Sequence, residues 1–152
     1  MTEHNGEVST LNTLIATLID SVTGYEDAAS NTEAGRFADI FRQRADERQR
    51  CVADLRSEVS RLGGNPEDDG SLMGKTHQRF LDLKAAITGR DDQAIINEVE
   101  RGEDYLKAKF ETALKDGDLS SDTRAAVERV FQSVREGHDQ MSSLKHGLEA
   151  SA

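Results

Sequence analysis

Residues 59–92 read VSRLGGNPEDDGSLMGKTHQRFLDLKAAITGRDD, and this stretch decides the fold. Gly63-Gly64-Asn65-Pro66 stops whatever helix comes before it, because glycine accepts the left-handed cap conformation and proline forbids continuation. A hairpin between antiparallel helices takes only a few residues, and the run from Gly64 to Arg90 is far longer. Within it Leu72, Thr76, Phe80, Leu83 and Ile87 recur at helical spacing. With Ser71 at the start and Gly89 as the stop, they predict a short amphipathic helix. A connection of this length runs from one end of a bundle to the other. The helix after it then lies parallel to the helix before it, as in bundles with one long crossover.

Upstream, a helix is predicted from about Glu33 to Leu62, capped by Asn31 or Thr32. Its stripe is Phe37, Phe41, Ala45, Arg48, Val52, Leu55, Val59 and Leu62, with Ile40 and Cys51 beside it. At ~1.5 Å per residue it is about 45 Å long, a full bundle length. Downstream, Asp91 or Asp92 caps a helix running to about Lys115, with the stripe Ile95, Val99, Glu103, Leu106, Phe110 and Ala113. Further out, a first helix starts after Ser9 or Thr10 and carries Leu11, Ile15, Leu18, Val22, Tyr25 and Ala29. After a turn at Asp116-Gly117-Asp118, Ser120 caps the last helix, with Asp122 in its first turn, where the helix dipole favours it. Its stripe is Val127, Val130 or Phe131, Val134, His138, Met141, Leu144 and Leu148, and residues 149–152 are expected to fray. The expectation is an all-α protein, one four-helix-bundle domain over residues 1–152, with a short extra helix between helices 2 and 3.

Composition narrows the function classes. A formal net charge of −10 and the absence of tryptophan argue against phosphate backbones and stacked bases as partners, so no nucleic acid is expected. No apolar run is long enough to span a bilayer, and no membrane partner is expected. The polar opening, Thr2 to Glu7, lacks the basic start and apolar core of a secretory signal. Cys51 is the one cysteine, which fits a reducing compartment, and the expected location is the cytoplasm. Its place beside an apolar stripe makes it a small buried hydrophobe. The arginines of the second helix alternate with acids, and Asp46–Arg50 has ion-pair spacing, so that face reads as salt-bridged rather than phosphate-binding.

Three stripes each contain one polar residue near mid-helix: Arg48, Glu103 and His138, with Tyr25 in the stripe of the first helix. Aligned end to end, these four form one polar core layer. A buried charge must be paired or bound to metal, since an isolated buried ion costs on the order of several kcal/mol.

Several phrases, in order along nearly the whole chain, carry a family resemblance: Leu11-Asn12-Thr13-Leu14-Ile15, Gly24-Tyr25, Arg61-Leu62-Gly63-Gly64, Asp82-Leu83-Lys84, Thr88-Gly89-Arg90-Asp91-Asp92, Glu100-Arg101-Gly102-Glu103-Asp104 and Gly137-His138-Asp139. The chain resembles a bacterial family of small ferritin-like four-helix proteins of uncharacterised function. That resemblance implies the crossover bundle and carries no activity with it.

Ferritin-like di-iron proteins take a glutamate from each of two helices and a Glu-x-x-His pair from each of the other two. Here Glu47 opens such a motif but Arg50 stands where His belongs. His138 is present but Arg135 fills the glutamate slot, and the inward stripe of the first helix has no carboxylate. Glu103, with Glu100 before it, fits the third-helix requirement. The candidate metal ligands are therefore Glu47, Glu100, Glu103 and His138, weighed against a structural layer of Tyr25, Arg48, Glu103 and His138. No catalytic residue is singled out, and no cofactor is expected, with iron or manganese as the alternative. The favoured role is a non-catalytic structural, stress-associated or protein-interaction module forming a homodimer. The alternative is an iron-binding or di-iron oxidase protein.

Overall fold

The computed structural model describes residues 5–32, 35–67, 92–115, 117 and 119–151. Four helices account for nearly all of them: α1 (Asn5–Asn31), α2 (Gly35–Arg61), α3 (Asp92–Lys115) and α4 (Ser121–Ser151). α1 packs along α2 and α3 along α4, and the two pairs meet through α1 with α3 and α2 with α4. This is an all-α four-helix bundle.

Hydrogen bonds at the two ends fix the direction of each helix. At one end the Thr32 hydroxyl donates to Asp92 Oδ1 (2.7 Å), joining the close of α1 to the start of α3. At the other, Asn12 donates to the Asn65 carbonyl (3.0 Å), and the Glu67 N–H donates to Asn12 Oδ1 (2.8 Å). There too Glu7 of α1 accepts from the Ser120 N–H (2.5 Å), and the Thr123 hydroxyl of α4 donates to Glu58 of α2 (3.0 Å). The chain thus leaves α2 at one end and enters α3 at the opposite end, so α2 and α3 run parallel across the bundle diagonal. The expected crossover helix at 71–89 lies outside the described residues.

α2 ends as the glycines dictate. Gly63 adopts φ 81°, its N–H donates to the Ser60 carbonyl (3.0 Å), and the Gly64 N–H reaches the Val59 carbonyl (3.0 Å). These are the paired bonds of a Schellman cap. A Cβ on Gly64 would lie 2.8 Å from the Val8 methyls, so this turn also needs a residue without a side chain for α1 to pack against it.

Two expected boundaries differ. α1 starts at Asn5, not after Ser9 or Thr10, which lie inside it. The early turn is held by Glu7, only 6% exposed, whose carboxylate caps the start of α4. That partner is 113 residues away, so no local signal announces it. The expected frayed tail is also corrected, since α4 is helical through Ser151.

The core falls into two hydrophobic clusters. One joins Leu11–Leu18, Leu55–Val59, Phe110 and Val127–Val134 towards the Gly63 end. The other joins Tyr25–Ala29, Phe37–Ala45, Ile95–Val99 and Met141 towards the Thr32 end. Arg48 and Glu103 lie at the junction.

Candidate functional site

Arg48 is 0% exposed and Glu103 is 2% exposed, one on α2 and one on α3. The guanidinium meets the carboxylate fork to fork: Nη1 lies 2.6 Å from Oε1 and Nη2 lies 2.6 Å from Oε2. Two parallel charge-assisted bonds are the strongest pairing these groups can make, and arginine's planar donors suit it where lysine's do not. The Ser21 hydroxyl of α1 accepts a third bond from Nη1 at 3.0 Å. Burial opposes the charge on Arg48, and the adjoining Glu103 carboxylate more than restores it, so the guanidinium stays protonated at any accessible pH.

α4 contributes the space for this pair. A Cβ on Gly137 would fall 2.3 Å from Arg48 Nη2 and 2.9 Å from Glu103 Oε2. Glycine lets the helix backbone close over the two head groups without displacing them. Tyr25 covers the same layer from α1, with its ring centroid 5.7 Å from Arg48 Cζ and 6.0 Å from the Phe41 ring. Burial, and then the nearby Glu103 charge, raise the Tyr25 phenol well above its usual range, so it stays a neutral donor. Arg48 Nε finds no hydrogen-bond partner among the described residues, and the Tyr25 hydroxyl has only the nearby Glu103 carboxylate to turn to, outside good hydrogen-bond geometry.

The four-residue layer expected from the stripes therefore assembles differently. Tyr25, Arg48 and Glu103 come together, joined by Ser21, and His138 does not join them. With Gly137 facing the pair, the next residue is rotated by about 100°, which carries His138 to the seam between α4 and α3. There its Nε2 lies 2.6 Å from Asp104 Oδ1 and 4.0 Å from Glu100 Oε2, while Nδ1 lies 3.2 Å from Asp139 Oδ1. Lys145 Nζ sits 3.6 Å from Glu100 Oε1. Burial opposes charging the imidazole, but its bonds to Asp139 and Asp104 and the Asp104 charge outweigh burial and the nearby Lys107, so its pKa is raised.

The candidate ligands thus separate. Glu103 is taken by Arg48, and Glu47 accepts from Arg44 Nη1 at 2.5 Å, whose Nε also donates to Gln140 (2.7 Å). Glu100 and His138 share the seam, joined by Asp104, which the stripe reading passed over. Glu100 and Asp104 stand one helical turn apart, a spacing visible in the sequence. Cys51 is buried, and burial pushes its thiol up. On α2, Arg42–Asp39 (3.3 Å) pairs on the outer face, while Arg61 pairs with Glu58 at the edge facing α4, both at three-residue spacing.

Fold and centre together define a class: an antiparallel helical bundle with parallel diagonal helices and a buried arginine–glutamate pair at mid-height. Residues 7–116 match the family model described as a domain of unknown function (DUF2383), and the chain belongs to that family. No curated protein matches it significantly. No described helix is long and apolar enough to cross a membrane.

Proposed function

We propose that this chain is a non-catalytic helical bundle, a structural, stress-associated or protein-interaction module of ferritin-like topology that works through its surface and self-associates as a dimer. The observation that carries this reading is the closure of the bundle centre. A dinuclear metal site in such a bundle needs four inward carboxylates and two imidazoles, and the arrangement of the described residues argues against one. The Arg48 guanidinium takes both Glu103 oxygens, Glu47 turns to Arg44, and His138 turns to Asp104. A fixed cation at the centre repels a metal ion. The pair serves instead to set the register of α2 against α3, the best-attested use of buried polar groups.

The alternative, an iron-binding or di-iron oxidase protein, is separated by metal analysis of protein grown with iron and manganese, alongside aerobic Fe(II) oxidation. The expected outcome is oxidation at the buffer rate and no metal lost when the pair is removed by Arg48→Met with Glu103→Leu. Stoichiometric iron or manganese that disappears in this double variant, with the fold intact by circular dichroism, overturns the reading. Sedimentation tests the dimer, and a strict monomer at high concentration removes that part.

A further inference from the structure

We propose that Glu100, Asp104 and His138 form a mononuclear site for a divalent transition-metal ion of the Zn²⁺ type on the α3–α4 seam. This is separate from the closed centre of the bundle. One ligand atom from each residue lies within 4.8 Å of the others. Two carboxylates one turn apart on α3 face a single imidazole on α4, a mixed nitrogen and oxygen set that suits zinc and its neighbours better than calcium or magnesium.

The distances suit a metal after small side-chain movements. Tetrahedral ligands at about 2.0–2.1 Å from zinc stand roughly 3.3 Å from one another. The Asp104–His138 separation of 2.6 Å must open by a fraction of an ångström, and the Glu100–His138 separation of 4.0 Å must close by a similar amount. Both are side-chain adjustments on a seam where Asp104 is 53% exposed, and the third pair, Glu100 and Asp104, starts within 4.8 Å.

Two features beyond the three ligands favour occupation. Asp139 lies 3.2 Å from His138 Nδ1, so it can hold the proton there and leave the Nε2 lone pair facing the carboxylates. That carboxylate–histidine–metal relay orients metal-bound histidines generally. The charge also suits a cation: Glu100, Asp104 and Asp139 carry three negative charges, Lys145 and Lys107 carry two positive, and 2 − 3 leaves −1 around a neutral imidazole. A metal ion would sit between Nε2 and the two carboxylates, in place of the direct Asp104 contact. Three protein ligands leave one coordination position for solvent or an incoming group.

The test is calorimetric titration of the metal-free full chain with Zn²⁺, and with Co²⁺ read by its visible absorption. The expected result is one ion per chain, weakened about 10–100-fold by His138→Asn or Asp104→Asn, and unchanged by Glu47→Gln. Asp104 is exposed, so Asp104→Asn keeps the fold, which circular dichroism checks. Zn²⁺ binding no tighter than Ca²⁺ binding, or equal affinity in Asp104→Asn and the parent, overturns the proposal. Binding lost with Asp104→Asn but kept in Arg48→Met/Glu103→Leu separates this site from the bundle centre, so either reading can fail alone.

Discussion

The bundle centre and the α3–α4 seam are both built from a basic side chain set against carboxylates, but they lie in different solvents. At the centre Arg48 and Glu103 are sealed between two hydrophobic clusters, and each head group is matched by the other. At the seam His138 is 16% exposed and Asp104 is 53% exposed, so water and ions compete for every contact. Burial makes the first pair fixed and costly to break. Exposure leaves the second open to protons and ions.

Breaking the centre should have the largest effect. Arg48→Met alone strands a buried carboxylate and should cost about 3–5 kcal/mol, lowering Tm by roughly 10 °C for a chain of this size. The double variant Arg48→Met/Glu103→Leu should recover most of that, because a packed apolar pair replaces the ions without leaving an orphan. Chemical denaturation of the two variants and the parent checks both outcomes, and equal losses in single and double variants would show that the pair is not a unit.

The next effect tests how tightly α4 closes over the pair. Gly137→Ala places a methyl 2.3 Å from Arg48 Nη2. Overpacking of this kind costs about 1–3 kcal/mol, set against about 1 kcal/mol gained from the better helix former. In the Arg48→Met/Glu103→Leu background the clash partner is gone, and the same change should be neutral or stabilising. Measuring the substitution in both backgrounds reads that change of sign.

The smallest effect belongs to the seam. In metal-free protein the His138 pKa is raised in the folded state above its unfolded value near 6.5. Its stabilising contribution is complete below that unfolded value and is lost as pH rises through the folded value. Stability in chelator should therefore fall slightly, by under about 1 kcal/mol, as pH climbs from about 6 to 8. His138→Asn should flatten this slope, and a parent and variant with identical pH profiles would place the proton elsewhere.

How legible each part was follows from the same contrast. The apolar stripes show which faces turn inward, because burying them is the main driving force and its helical period is written along the chain. The stop of α2 was equally plain, since Gly63-Gly64-Asn65-Pro66 carries its cap in four adjacent residues. The start of α1 was not, because Glu7 caps a helix from the far side of the sequence. The place of His138 was not either, since stripe membership fixes orientation only to within about half a turn. A glycine at 137 reads as a weak helix residue until something is seen to need its space.

The sequence by itself determined four amphipathic helices, the stop of α2, a net acidic charge and the inward charges Arg48 and Glu103. These are local periodicities and compositions, legible without knowing what each helix touches. Only the tertiary structure decided which charges meet. Helix rotation and axial offset are set by the packing of whole faces, and one residue of rotation separates a group sealed against Arg48 from one open to Asp104 and solvent.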